Sequence, residues 1–298
     1  MRTPRNFSLV NSGGYVLNLL TTSILLYDPT GLGFDTDDIY RQVGNRFIFL
    51  GAGAVQQRIT GKVGFFGDDP YEAYFQFVQF CDFAPLTLIY TPNPAGGSRA
   101  SAKQYRRHVR LARVDKAEIN HDGYLEVPVE FACLDPWHKI VNVTNNPSDD
   151  DVTASFEWDL NWPDPDEGLL FGAQALMTVI VESDSHEDSP CRLEIFGPIT
   201  NPSWTHYVNG IEYSTGSVEC IVAADQVLVI DNTSDPYEIA LYTAEARTFI
   251  SNEYQNSDFS TKRFVDLQYG TNQIRIASED TSVIVPVGLE ARISYASV

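Results

Sequence analysis

Period-two alternation of apolar and polar positions runs through most of the chain. Leu125, Val127, Val129, Phe131 and Cys133 alternate with Glu126, Pro128, Glu130 and Ala132. Ala154, Phe156, Trp158, Leu160 and Trp162 alternate with Ser155, Glu157, Asp159 and Asn161, and Leu289, Ala291, Ile293 and Tyr295 alternate with Glu290, Arg292 and Ser294. Each pattern predicts a strand with one buried face. Pro128 puts its strand at an edge or beside a bulge, because proline has no N–H for a ladder. Further strands are predicted over 57–66, 86–91, 104–115, 178–182, 191–196, 218–222, 226–231, 237–242, 273–277 and 282–287. So many strands joined by short polar turns predict a mainly β protein built of sandwiches. One segment breaks the pattern. Asp69 is placed to cap a helix, Pro70 takes its first position and Glu72 completes a capping box, so the spacing predicts a helix over 70–81. Glu72, Gln76, Gln79 and Asp82 form one narrow polar stripe, while Tyr71, Tyr74, Phe75, Phe77, Val78, Phe80 and Cys81 cover the rest of the circumference. One sheet cannot bury so wide an arc. Either this is a core helix under a domain cap or, as the preferred expectation, its second apolar flank, read as Tyr71, Tyr74, Phe77 and Phe80, packs on another subunit.

The alternation dissolves after Asp135-Pro136-Trp137-His138-Lys139 into the polar run Asn145 to Asp151, which marks a domain boundary. Residues 1–139 carry the helix; residues 140–298 are nearly pure β. A chain of 298 residues accommodates two cores, and 43% hydrophobic with 12% aromatic residues excludes a disordered chain. Forty acidic against 20 basic residues give a formal charge of −20, which disfavours gripping nucleic acid from outside. The four cysteines, Cys81, Cys133, Cys191 and Cys220, lie far apart in apolar runs and read as reduced core thiols. Asn18 and Thr21-Thr22-Ser23 interrupt the apolar residues near the N-terminus, so no secretory signal is expected, and no run is long enough to span a membrane. Synthesis in a cytoplasm follows as the expectation.

Sequence motifs for catalysis are weak. Gly51-Ala52-Gly53 resembles a dinucleotide-binding turn, but Gln56 replaces the third small residue and a strand follows where the phosphate-binding helix belongs. The acidic clusters Asp35 to Asp38, Asp149 to Asp151 and Asp164 to Glu167 lack EF-hand spacing. His186-Glu187 has no second histidine at zinc-protease spacing, and no serine sits in a nucleophile elbow. A carboxylate pair for glycoside hydrolysis can be chosen at will from so many acids and carries no weight. No catalytic residue, metal ligand or cofactor is expected. Trp158, Trp162 and Trp204 keep open a second reading as a carbohydrate-binding accessory protein that recognises host cell-wall sugars.

The order of several segments resembles the distal tail protein (Dit) family of long-tailed phages infecting Gram-positive bacteria, over nearly the whole chain. In the first half these are Leu25 to Phe34, the strand Ile59 to Phe65 with Gly61, the helix from Pro70, Leu86 to Pro92, and Leu125 through Pro136-Trp137. In the second half they are Ile195-Phe196-Gly197-Pro198-Ile199-Thr200-Asn201-Pro202, Val227 to Asp231, Leu267 to Asn272, and Ala291 to Tyr295. The resemblance implies an N-terminal β-sandwich-like domain, residues 1–139, that closes a six-fold ring around the tail channel. It also implies a C-terminal galectin-like β-sandwich, residues 140–298, that projects outward. The implied partners are five further copies in a homo-hexamer, a tail tube protein, a tail-associated or tail-fibre protein and a receptor-binding protein. The implied location is the distal end of the tail in the virion, with DNA only passing through the channel. No catalysis is implied. True galectins read sugar through H-x-N-x-R and W-x-x-E-x-R, which do not occur here, and the segment between Tyr242 and Phe264 is too short for an inserted arm or carbohydrate module. Residues 28–58, glycine-rich and weakly patterned, are expected to lie across the neighbouring copy as a belt. Acidic groups along the bore would keep passing DNA from sticking. Whether the last strand closes the second sandwich or returns to the first domain stays open at this point.

Overall fold

The computed structural model describes residues 5–33, 36–92, 104–145, 177–185, 187–279 and 283–298. The chain divides into two units, Met1–Lys139 together with Tyr295–Val298, and Ile140–Ser294.

The first unit contains β1 (Asn6–Val10), β2 (Val16–Asn18), β3 (Ile24–Thr30), β4 (Thr36–Val43), β5 (Arg46–Ala54), β6 (Arg58–Phe65), α1 (Pro70–Cys81), β7 (Leu86–Thr91), β8 (Tyr105–Val114), β9 (Leu125–Cys133) and the start of β10 (Trp137–Asn145). Antiparallel pairing runs β1–β7–β8–β9–β6–β3. Leu19 completes the circuit, accepting from Leu26 N at 2.9 Å and donating to Phe7 O at 2.8 Å. The pairing thus closes on itself, and its inward residues, among them Phe7, Leu9, Val63, Phe65, Leu88, Val109, Phe131 and Trp137, form one core.

Pro128 sits inside this circuit without breaking it. It pairs with Lys62 on one side and faces the end of β8 on the other, where the register shifts between Leu111 and Arg113. Its carbonyl still accepts from Asp115 N at 3.2 Å. β3 continues through Asp28, whose φ is 49°, to Thr30 with a register shift, where the sequence reads as a turn.

The helix occupies Pro70–Cys81, and Asp69 Oδ1 accepts from Glu72 N at 3.0 Å. Glu72 Oε1 accepts from Gln76 Nε2 at 2.9 Å, one turn on. The expected inter-subunit flank is corrected by what covers it. Tyr74 and Phe77 are buried and meet Phe65 edge-on at 5.8 and 5.6 Å, so they belong to the chain's own core. Tyr71 and Phe80 are half-buried against the same core. The segment after β8 closes over Tyr71: its hydroxyl donates to Glu118 Oε2 at 2.8 Å and Lys116 lies 5.8 Å from its ring. Phe75 is the aromatic of α1 that stays exposed.

The second unit holds β11 (Met177–Ser183), β12 (Ser189–Phe196), β13 (Ile199–Thr200), β14 (Ser203–Val208), β15 (Ile211–Ser217), β16 (Ile221–Val222), β17 (Gln226–Asp231), β18 (Glu238–Thr243), β19 (Phe249–Asn252), β20 (Asp266–Leu267), β21 (Gly270–Ala277) and β22 (Val287–Tyr295). One sheet runs β19–β18–β17–β12–β22 and another β11–β21–β14–β15. Val179, Val181, Trp204, Ile274 and Ile276 from the latter, and Leu193, Ile195, Leu228, Ile230, Leu289 and Ile293 from the former, are buried. Trp204 is core, not a sugar platform. It packs so closely on Gly216 that a Cβ there would lie 2.3 Å from the indole. Two expected strands shrink: 218–222 yields only Ile221–Val222, and 283–286 is not strand, β22 starting at Val287. The predicted strand 154–162, with Trp158 and Trp162, lies outside the described residues. β22 pairs with β12 from Cys191↔Ala291 to Ile195↔Val287, whereas Tyr295 packs in the first unit, edge-on to Tyr105 at 5.3 Å and under Lys139 Nζ at 4.4 Å.

Candidate assembly surface

Among the described residues, exposed apolar side chains cluster on the β4–β5 hairpin. Val43 pairs with Arg46 across the two-residue loop Gly44-Asn45, and Gly44 takes the positive φ of 60° that such a tight turn requires. The two strands form a sheet of their own, so among the described residues neither outer edge has a strand partner. The register assigns the faces. Tyr40 opposes Phe49 and Gln42 opposes Phe47, which puts three aromatic rings on one face, Tyr40 and Phe49 in edge contact at 5.7 Å. Arg41 opposes Ile48 and Val43 opposes Arg46, so the other face carries Ile39, Val43 and Ile48 between two guanidinium groups. A register shift between Ile39 and Tyr40 leaves Leu50 unpaired as a bulge. Phe47 is 70% exposed, Phe49 56% and Tyr40 54%. The Tyr40 hydroxyl donates to Asp38 Oδ2 at 3.0 Å, and that bond to a carboxylate raises its pKa.

An apolar ribbon exposed on both faces cannot be explained by the core of its own unit. Isolated two-stranded hairpins are at best marginally stable in water, and open strand edges invite pairing with another chain. The arrangement is that of an arm made to be covered.

The other residues singled out by sequence have structural roles. Gly61 faces β3 closely, a Cβ there lying 3.1 Å from the Leu26 side chain. Pro70 is buried at the first turn of α1. Pro136 precedes Trp137, which is fully buried beside Tyr90 and beneath the Arg107 guanidinium. At Gly197 a Cβ would lie 1.9 Å from Ala223 O, Gly197–Pro198 is a cis peptide, Asn201 has φ 47° and Pro202 O accepts from Val218 N at 3.0 Å. Gly197 and Pro198 therefore lead from β12 into β13, and Asn201 and Pro202 from β13 into β14, with β13 paired to β16 between them. These residues are not gathered into a site. A groove of about 460 Å³ lined by Asp28, Thr60, Lys62, Arg113, Asp115 and Glu130 is mixed in charge. The belt expected over 28–58 contains this hairpin, but sequence reading singled out none of Ile39, Tyr40, Phe47 and Phe49; the available signal was Gly44-Asn45 between two apolar runs.

Residues 6–134 match the family model described as the distal tail protein, N-terminal domain. Over that span the chain is similar to the distal tail protein family. That family is one of structural proteins of the phage tail tip, and the matched span holds the closed β circuit, α1 and the arm. No curated protein sequence matches the chain. Among solved structures, a chain of the phage p2 baseplate in its activated conformation with Sr matches with TM-score 0.63 at 14% identity, over 99% of this chain and 100% of that one. The same baseplate with Ca gives TM-score 0.61 at 16% identity, over 99% and 100%. The Dit protein of phage SPP1, described as a paradigm of the hub adsorption apparatus in phages infecting Gram-positive bacteria, gives 0.59 at 9% identity, over 96% and 98%. The distal tail protein fold thus extends through both units.

Proposed function

We propose that this chain is a distal tail protein, a structural adaptor that closes into a six-membered ring at the tip of the tail, joining the tail tube to the tip and receptor-binding proteins. The observation that carries the reading is the β4–β5 arm, apolar on both faces and unpaired at both edges. A ring needs a heterologous contact, one patch meeting a different patch on the next copy, and an arm that reaches onto a neighbour is such a contact. Phe75 on α1, 56% exposed, supplies further surface on the same unit. The similarity to a baseplate component of phage p2 and to the SPP1 hub protein supports a place in such an assembly. The work is binding and not chemistry, and with a formal charge of −20 per copy, acidic groups near the bore would keep passing DNA from sticking. Burial of Trp204 takes away one of the three tryptophans on which sugar binding rested.

Electron-microscope class averages of the purified protein, alone and mixed with its tail tube protein, test the proposal. Six-fold rings are the expected result. Monomers under both conditions at high concentration overturn it.

A further inference from the structure

We propose that His108, Asp135 and His138 form a binding site for a single imidazole-preferring divalent metal ion of the Zn²⁺ type. Sequence spacing gives no hint of it: β8 supplies one ligand and the β9–β10 junction the other two, and the fold brings them together. His108 Nδ1 lies 2.5 Å and His138 Nδ1 3.6 Å from the same oxygen, Asp135 Oδ2, and the ligand atoms of all three residues fall within 4.8 Å of one another. Three Lewis bases aimed at one point repel unless positive charge lies between them, supplied either by N–H protons or by one cation.

The surroundings hold the three side chains in place, and His138 Nδ1 also lies 3.4 Å from Pro136 O, a contact that an ion would replace. Asp135 Oδ1 accepts the His108 backbone N–H at 2.6 Å, and the Asp135 carbonyl accepts from Arg107 Nε at 2.6 Å, so the carboxylate is oriented before any ligand arrives. Leu134 N donates to His108 O at 2.9 Å, which fixes β8 against the junction. His138 is buried, whereas the His108 and Asp135 side chains keep 35% and 28% of their surface, leaving one side open for an entering ion and a completing water. Ligands at about 2.0–2.1 Å in tetrahedral array stand roughly 3.3 Å apart, so the His108–Asp135 contact must open from 2.5 Å and the His138–Asp135 contact close from 3.6 Å. Two imidazoles and one carboxylate suit Zn²⁺, Co²⁺ or Ni²⁺, whereas Ca²⁺ and Mg²⁺ prefer oxygen ligands. Binding displaces any proton held on the two Nδ1 atoms, which moves to solvent or to Nε2. The bound ion would tie the strand leaving the first unit to β8.

The test uses the full chain freed of metal with EDTA and titrated with Co²⁺ as the probe. The expected result is one Co²⁺ per chain with the visible absorption of a four-coordinate ion, displaced by Zn²⁺ and untouched by excess Ca²⁺. His108→Gln and Asp135→Asn should each weaken binding at least about 30-fold while melting like the parent in EDTA. Unchanged absorption in both variants would place the ion on other histidines and overturn the site, as would the absence of any visible band in the parent. X-ray absorption of the Zn²⁺-loaded parent needs no variant: two imidazole nitrogens in the inner shell support the proposal, and an all-oxygen, single-imidazole or sulfur-containing shell refutes it.

Discussion

Replacing Phe47 by serine separates assembly from folding. Phe47 stands on the aromatic face of the arm opposite Gln42 and is 70% exposed. A phenylalanine side chain offers roughly 200 Å², so about 140 Å² of apolar surface awaits a partner. At about 25 cal/mol per Å², complete cover would stabilise the contact by ~3.5 kcal/mol. Association gives back part of this in ordering, so about 2 kcal/mol per interface is the expected loss, close to 30-fold in dissociation constant. Folding is affected little. The ring touches no core of its own unit, and exposed substitutions stay within ~0.5 kcal/mol, a shift of about 2 °C or less in Tm. Light scattering coupled to size exclusion over a concentration series, beside a thermal melt, measures both quantities. Phe47→Ser assembling at the parent's concentration would remove the arm from the interface. A Tm lower by many degrees would show instead that the arm is part of its own unit's fold.

Phe77→Ala deletes a fully buried ring that contacts Phe65, and denaturant titration should show a loss of about 3–5 kcal/mol. Gly31→Ala places a Cβ 2.0 Å from Arg58 O at φ +78°, and the same titration should report a loss of at least ~2 kcal/mol. Burial pushes the Cys81 and Cys220 thiols up to about 12 and also raises Cys133 and Cys191, so a thiol reagent near neutral pH should be consumed slowly by the native protein and by all four cysteines only after denaturation. His206 is buried, which disfavours the imidazolium and lowers its pKa below the ordinary 6.5, despite the bond from its Nε2 to Asn272 Oδ1 at 3.0 Å. The unfolded chain therefore takes up this proton first, so the contribution is complete above 6.5 and declines as pH falls below it; the loss of stability between about pH 7.5 and about pH 5.5 should shrink in His206→Gln.

The legible parts of the fold are those where local chemistry and burial agree. Asp69, Pro70 and Glu72 mark the start of α1 without help from tertiary structure, and β9 alternates because one face is core and the other is not. What covers a face is not local. The arc of α1 is visible in the sequence, but the cover over Tyr71 comes from residues 115–120, more than forty positions away, so Tyr74 and Phe77 read as interface when they are core. Inside the expected belt 28–58, the two strands of the arm escape for the opposite reason. Ile39, Val43 and Ile48 lie on one face and Tyr40, Phe47 and Phe49 on the other, so the contrast on which period-two reading depends vanishes where both faces are apolar. The β14–β15 hairpin hides in the same way. Its turn Asn209-Gly210, with φ 51° and 82°, is a strong local signal, but the exposed Ile211 and Tyr213 blur the strand that follows.

That blurring carries functional meaning. A segment whose two faces are equally apolar has been relieved of the need to choose an inside, which a lone domain in water never permits over so many residues. The charge pattern follows the same logic. The chain carries −20, so identical copies repel at long range, yet the arm places Arg41 and Arg46 among its aliphatic residues, with acids confined to its base at Asp37 and Asp38. At physiological salt, repulsion between surfaces fades beyond about 8 Å, whereas guanidinium groups seated against an acidic neighbour act at contact and are screened far less. In the proposed ring, the repulsion would discourage random clustering of exposed apolar surface, and the arginines of the arm would select the docking that relieves it.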